Sequence, residues 1–171
     1  MSILKVSRLG HPVLRERAAD VEIADIKAGH FDQLIEDMFE TMVAYEGVGL
    51  AGPQVHVALR IWVFALGERV AKRKQMKSIE PGVFFNATYE GVGDEKITDW
   101  EGCLSVPFLG GDVPRWKTVR LRGIDQAGQE QTLEVSDYVA RIFQHETDHT
   151  DGQIYIDRMP DLRTLGYTIV L

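Results

Sequence analysis

Apolar residues recur every three or four positions in one long segment near the amino terminus. This spacing predicts a helix over residues 28–45 that turns one apolar face toward a core. Gly47 follows the segment and is placed to end the helix. The residues assigned to the buried face are Leu34, Ile35, Met38, Phe39, Met42 and Val43.

From Arg60 onward the pattern changes to short runs of β-branched and aromatic residues, which is typical of strands. The segment between the last two runs, residues 125–130, is polar and contains Gly128, so it predicts a hairpin turn. The predicted strands cover residues 60–66, 83–89, 117–124 and 131–136.

A second helix is predicted to begin at Ser136, a residue type favoured as an N-cap, and to end before Gly152. The apolar tail over residues 165–171 predicts a last strand. Because the strands mostly neighbour one another in sequence and the helices flank them, the predicted class is α+β rather than alternating α/β.

Composition and charge narrow the choice of protein class. The chain has 171 residues, of which 44% are hydrophobic, and this fits one globular domain over residues 1–171. A net charge of −7 argues against broad nucleic-acid binding, which rewards clustered Lys and Arg. No apolar run approaches the roughly 20 residues of a membrane span, and charge appears too early for a signal peptide. A cytoplasmic protein without membrane partners is therefore expected, with an organelle left open as the alternative. The five basic residues within 69–77 are interpreted as a solvated loop.

The most informative segment is QHETDHTDG, residues 144–152. His145 and His149 are four positions apart on a predicted helix, so both imidazoles project from one face. At this spacing they reach one metal ion at about 2.0–2.1 Å. Glu146 lies beside that face, where it is better placed to move a proton than to bind the metal.

The HExxH pattern leaves the third ligand open. Tyr155 stands at the position of the third histidine of metzincins, and no Glu follows Glu146 as thermolysin-like sites require. Asp157 and Asp161 remain as weak candidates. Cys103, the single cysteine, is the stronger donor, because a thiolate with two imidazoles binds zinc or ferrous iron and leaves an open position.

A glycine-rich run, GVGLAGPQ at residues 47–54, follows the first predicted helix. It lacks the Lys-Ser/Thr of a phosphate-binding loop, so it is interpreted as a tight helix-to-strand turn. Such a turn can bring main-chain groups and the Gln54 amide toward a developing oxyanion.

Three segments together resemble the peptide deformylase family: GVGLAGPQ, EGCLS at residues 101–105 and QHETDH at residues 144–149, in the family's order and at similar spacing. LGHPVLR and the VPR of residues 113–115 add to the resemblance, which covers about residues 8 to 158. It implies antiparallel sheets packed around a central HExxH helix, with a second helix nearer the amino terminus. It also implies removal of formate from N-formylmethionyl peptides as they leave the ribosome.

The resemblance also implies roles for individual residues. Cys103, His145 and His149 are implied to hold one divalent metal, most often Fe²⁺, with Ni²⁺, Co²⁺ and Zn²⁺ as alternatives. Glu146 is implied to be the general base and acid. The oxyanion is implied to be held by Gln54 and the Leu104 N–H, and the peptide by Val48, Gly49 and Leu50.

Four positions depart from the family's usual pattern: Gly52, Gly110, Thr147 and Thr150. Many members carry an Arg where Gly110 stands, and this Arg helps to hold the substrate. None of the departures falls on a predicted ligand or on Glu146. Two alternatives stay open at this stage: a metallopeptidase with a different third ligand, and a deformylase-like metal-binding protein of reduced activity.

Overall fold

The computed structural model describes residues 2–168 of the chain. The α-helices found there are α1 Ile23–Lys27, α2 Asp32–Ala44, α3 Glu68–Arg73 and α4 Asp137–Thr150. The strands are β1 Gly49–Ala51, β2 Ile61–Leu66, β3 Ile79–Gly91, β4 Lys96–Cys103, β5 Val106–Trp116, β6 Thr118–Ile124, β7 Glu130–Ser136 and β8 Gly166–Tyr167. Short 3₁₀ turns cover Pro12–Leu14, Gly52–Val55, Tyr155–Arg158 and Leu162–Thr164.

The strands form two antiparallel sheets, so the predicted mixture of helices with antiparallel sheets is confirmed. One sheet has the order β1-β2-β3-β6-β7 and the other the order β4-β5-β8. Helix α4 contacts β1, β2, β3, β6 and β7 of the first sheet and β5 of the second. Strands β1 and β4 each lie at the edge of a sheet, which leaves one side of each without a strand partner among residues 2–168.

Aromatic packing fixes α4 against the larger sheet. Phe143 of α4 lies 5.0 Å from Trp62 and 4.9 Å from Phe64, measured between ring centroids. Trp62 also packs on Phe84 of β3 at 5.0 Å. Because aromatic side chains bury large areas and prefer such tilted arrangements, this cluster holds the helix at a defined height over the sheet.

The first predicted helix is shorter than its pattern indicated. It begins at Asp32, after a separate α1, because Gly29 adopts a left-handed φ of 73° between the two helices. Val43 is 70% exposed rather than buried, while Thr41 is buried on the packed face. The helix ends at Ala44, and the left-handed residue that follows is Glu46 rather than the predicted Gly47.

The predicted solvated loop over residues 69–77 is wrong in part, because residues up to Arg73 belong to α3. Ala71 is buried and anchors α3 against the aromatic cluster, while Arg69, Lys72 and Arg73 are exposed. The hairpin of β4 and β5 was not predicted at all. Its segments carry glycines and buried charged residues, which remove the alternation on which strand prediction depends.

The remaining predicted elements are confirmed with small shifts. The four predicted strand runs match β2, part of β3, β6 and β7, and the turn at residues 125–130 joins β6 to β7. Ser136 occupies the N-cap of α4, although its hydroxyl contacts Thr118 Oγ1 at 2.8 Å instead of capping the helix. Of the last strand predicted over residues 165–171 only Gly166–Tyr167 is found, as β8, and residues 169–171 lie outside the described part. No helix within residues 2–168 combines the length and apolar character needed to cross a bilayer.

The end of α4 gives a test of the packing. Gly152 has a φ of 73°, and a Cβ added there would lie 2.9 Å from backbone atoms of Arg15 and Glu16. Gly93 has a similar φ of 74°, but a Cβ there would meet nothing within 4 Å. Gly93→Ala should introduce only left-handed backbone strain, which costs about 1–2 kcal/mol and lowers the melting temperature by several degrees. Gly152→Ala should lower the melting temperature further, because its Cβ would also clash with backbone atoms. Equal losses in calorimetry would contradict the close approach at Gly152.

Candidate metal centre

The three predicted ligands lie together between the two sheets. Cys103 is the last residue of β4, and His145 and His149 lie one turn apart on α4. The Cys103 Sγ is 3.2 Å from His149 Nε2, which is 3.3 Å from His145 Nε2. One donor atom from each residue falls within 4.8 Å of the other two.

These separations fit one metal ion. Tetrahedral bonds of about 2.0–2.1 Å to nitrogen and 2.3 Å to sulfur place the ligand atoms roughly 3.3–3.6 Å apart. Two imidazoles and a thiolate suit zinc or ferrous iron, and three protein ligands leave one position for water or substrate. The donor set therefore has the composition and spacing of a catalytic site rather than a closed structural one.

The alternative third ligands are engaged elsewhere. Asp157 accepts hydrogen bonds from Arg15 at 2.5 Å and from the Ile154 N–H at 2.8 Å. Asp161 is paired with Arg163 at 2.7 Å. Neither belongs to the cluster, so the interpretation as a peptidase with an aspartate ligand loses its support.

A buried carboxylate orients His145. The Nδ1–H of His145 donates to Glu101 Oε2 at 2.9 Å, which directs the Nε2 lone pair toward the cluster. Glu101 also accepts from Arg115 at 2.9 Å and from Arg141 at 2.6 Å. Burial opposes ionisation of Glu101, but the hydrogen bonds from His145 and Arg115 hold its pKa well below the usual range.

A second buried carboxylate, Asp148, lies three residues after His145 on α4 and joins the same network through Arg115. It accepts hydrogen bonds from Arg115, from the Tyr89 hydroxyl at 3.0 Å and from Arg158 at 2.9 Å. Burial opposes the ionised form, yet the hydrogen bond from Arg158 and the charge of Arg115 lower the pKa of Asp148. Since Arg115 contacts both Asp148 and Glu101, one guanidinium links the two carboxylates across β5.

Glu146 faces the cavity beside His145. Its Oε2 is buried and has no hydrogen-bond partner among residues 2–168. Burial raises the pKa of Glu146 to about 7, although the charge of His145 partly opposes this shift. A Cβ on Gly49 would lie 2.3 Å from Glu146 Oε1, so only glycine at this position leaves room for the carboxylate.

Gln54 presents its amide to the same space. The Ala51 N–H donates to Gln54 Oε1 at 2.8 Å, which fixes the orientation of the amide. The amide nitrogen then points toward Cys103 Sγ and Ser105 Oγ, each at 3.4 Å. Leu104 occupies the tip of the adjoining hairpin, where its carbonyl accepts a hydrogen bond from Arg8.

A cavity of about 720 Å³ leads to the cluster. It is bounded by residues of the edge strand β4 and by Val48 and Gly49 at the start of β1. The Leu50 side chain, in contrast, is fully buried in the core beneath β1. The opening therefore runs between two unpaired strand edges, a space that suits an extended chain.

Comparison with known proteins agrees with this geometry. A family model described as "Polypeptide deformylase" matches residues 3–164. The chain belongs to the polypeptide deformylase family. It is 42% identical to Peptide deformylase 1 of Bordetella pertussis, over 97% of this chain and 93% of the relative. Deformylases are enzymes that depend on a metal, and the recognition made from three sequence motifs is confirmed.

Solved deformylase structures share the fold. The class I type b peptide deformylase of Acinetobacter baumannii with Met-Ala-Ser bound superposes with a TM-score of 0.85 at 30% identity, covering 93% of this chain and all of that one. The peptide deformylase of Thermotoga maritima gives a TM-score of 0.82 at 32% identity, covering 94% of this chain and 100% of that one.

The structure accounts for three of the four departures from the family pattern, and it gives no explanation for Thr147, whose buried hydroxyl has no hydrogen-bond partner among residues 2–168. A Cβ on Gly110 would lie 2.3 Å from the Trp100 indole nitrogen, so the indole occupies the space that a side chain would need. A Cβ on Gly52 would lie 2.8 Å from the Leu59 carbonyl oxygen. Thr150 is buried, and its hydroxyl donates to the Thr147 carbonyl at 2.7 Å. These residues are thus matched to their surroundings in this chain.

Sequence reasoning missed the residues that position the cluster. Glu101, Arg115 and Asp148 each lie inside a segment that carries the family resemblance. Nothing else in the sequence indicates that these three residues position the cluster. Arg141 gave no signal. Its guanidinium is buried and donates to carbonyls of Ile97 and Val113 as well as to Glu101.

The cluster predicts about one metal ion per chain, bound through Cys103. Cys103→Ala and His149→Ala should each lose most of the metal, because two remaining ligands hold a divalent ion weakly. Asp157→Asn is the matched control and should keep the full content. Metal is measured by mass spectrometry after gel filtration. Full retention in the Cys103 variant would remove this residue from the ligand set.

Proposed function

We propose that this protein hydrolyses the N-terminal formyl group of N-formylmethionyl peptides and releases formate, as a single catalytic domain over residues 1–171. The observation that carries the proposal is the position of Glu146, buried beside His145 at the inner end of a cavity bounded by two strand edges. Family membership supports the same activity.

The substrate would bind as an extended chain. An edge strand offers unpaired N–H and C=O groups, which an extended peptide can satisfy by adding a strand. Val48, Gly49 and Leu50 would contribute through backbone groups that strand β2 does not use, since the Val48 carbonyl already accepts from the Ala65 N–H at 3.1 Å. Val48 and Gly49 also face the cavity. The related Acinetobacter baumannii enzyme has been solved with Met-Ala-Ser bound, which supports a short peptide as the ligand class.

The proposed chemistry uses a divalent metal held by Cys103, His145 and His149. When bound, such a metal supplies Lewis acidity, which lowers the pKa of water and polarises a carbonyl oxygen. Glu146 accepts the proton of the attacking water and then delivers it to the leaving amine nitrogen. The raised pKa of Glu146, about 7, suits a group that both takes and returns a proton near neutral pH.

The developing oxyanion would accept hydrogen bonds from the Gln54 amide and the Leu104 N–H. The Gln54 amide is already oriented by the Ala51 N–H, so little reorganisation is needed when charge develops. We infer that the close approach of Glu146 to Gly49 narrows the inner end of the cavity. A formyl carbon bears only hydrogen, and a narrow end would admit it while excluding larger acyl groups.

The resident metal is proposed to be Fe²⁺, with Ni²⁺, Co²⁺ or Zn²⁺ as possible replacements, because a thiolate and two imidazoles suit each of these ions. Formylated amino termini arise on nascent chains, so the proposed site of action is the cytoplasm, at peptides leaving the ribosome.

The test is formate release from formyl-Met-Ala-Ser by anaerobically purified protein, compared with Glu146→Gln. Glutamine nearly preserves volume but cannot accept the proton of water, so kcat should fall by about 10² to 10⁴. Metal content and melting temperature should change little, because Glu146 is not a ligand. A folded, metal-loaded variant that keeps more than about a tenth of wild-type kcat would contradict the role of Glu146.

A further inference from the structure

The strand that follows Cys103 contains a bulge directly opposite this ligand. Gly102 pairs with Gly110, whereas the next residue, Cys103, pairs with Val106. Residues 107–109 of β5 therefore have no pairing partner on β4. Phe108 is the middle residue of the bulge. Bulges beside active sites commonly redirect a side chain.

The backbone of Phe108 is in the left-handed region, with a φ of 66°. Glycine is the usual residue at such a position, and a bulky side chain there is a true outlier. The ring is 64% exposed, so packing within the protein does little to offset the strain. A glycine would form the same bulge and place Cys103 equally well. The aromatic side chain itself therefore calls for an explanation.

Phe108 lines the outer part of the cavity that leads to the metal ligands. Tyr45, which is 38% exposed, lines the same cavity and carries the Arg8 guanidinium over its ring at 5.9 Å. A substrate with its formyl group beside Glu146 and Cys103 would extend outward past these rings. The residues that reach the rim would be those after the methionine.

We propose that Phe108 is a specificity-determining residue that packs against apolar side chains of the peptide beyond the first residue. This inference rests on the proposed deformylase function. Residues held in unfavourable backbone conformations cluster at active sites and ligand clamps. The strain at Phe108 and its place on the cavity rim are explained together by contact with the substrate.

The test compares kcat/KM for formyl-Met-Leu-Leu with kcat/KM for N-formylmethionine amide, which has nothing beyond the first residue. The ratio is kcat/KM for formyl-Met-Leu-Leu divided by kcat/KM for N-formylmethionine amide. Phe108→Gly should lower this ratio about tenfold, mainly by raising KM for formyl-Met-Leu-Leu, because an aromatic contact with the peptide is lost. Phe108→Tyr should keep the ratio. The matched control is Gln75→Gly, which relieves a similar left-handed φ of 55° at an exposed position that does not line the cavity, and it should also keep the ratio.

A merely structural role for Phe108 makes a different prediction. Glycine would then relieve strain, leave the melting temperature equal or higher and leave the substrate ratio unchanged, and this result would overturn the inference alone. If Phe108→Gly leaves the substrate ratio unchanged but alters the oligomeric state in sedimentation, the inference is overturned as well. The ring would then contact a second copy of the chain. Absence of formate release by wild type from both substrates would overturn the proposed function and this inference with it.

Discussion

The structure depends on one buried carboxylate, Glu101, which is shared by His145, Arg115 and Arg141. An isolated charge cannot remain ionised in a protein interior, so its partners must be held in place around it. Those partners come from β5 and α4, while Glu101 itself lies on β4 two residues before Cys103. The smaller sheet, the helix and the proposed metal ligands are therefore positioned by the same set of hydrogen bonds.

This arrangement explains why the site is rigid without being closed. Arg115 joins Glu101 to Asp148, so the helix is held by ion pairs on the side facing β5 and by aromatic packing on the side facing the larger sheet. Glu101 and Arg141 of this network line the cavity between β1 and β4, while the backbone edges of these two strands that lack a strand partner take no part in the ion pairs or the aromatic packing. Charge pairing and packing thus define the ligand geometry, and the unpaired strand edges remain available to a peptide.

Local sequence patterns predicted the ligand helix and most of the strands. His145 and His149 follow from helical spacing, and Cys103 follows from the absence of a better downstream donor. The β4–β5 hairpin was missed because its strands bury the charged residues Glu101 and Arg115, which pair with each other across 14 residues of sequence. Local periodicity cannot reveal a pair so far apart in sequence. Val43 was assigned wrongly because helical spacing does not say how wide the buried face is. The left-handed backbone of Phe108 is likewise set by strand pairing rather than by its neighbours in sequence.

The most direct test of this account is the metal affinity of Glu101→Gln, measured by competition with a chromophoric chelator. Glutamine keeps the shape but removes the charge that orients His145, so the affinity should fall by about 10- to 100-fold while the protein remains folded. Arg158→Gln serves as the control, because it loosens the network at Asp148 without touching a group bonded to a ligand, and its affinity should stay close to that of wild type. A wild-type affinity in folded Glu101→Gln would contradict the claim that this carboxylate organises the metal centre.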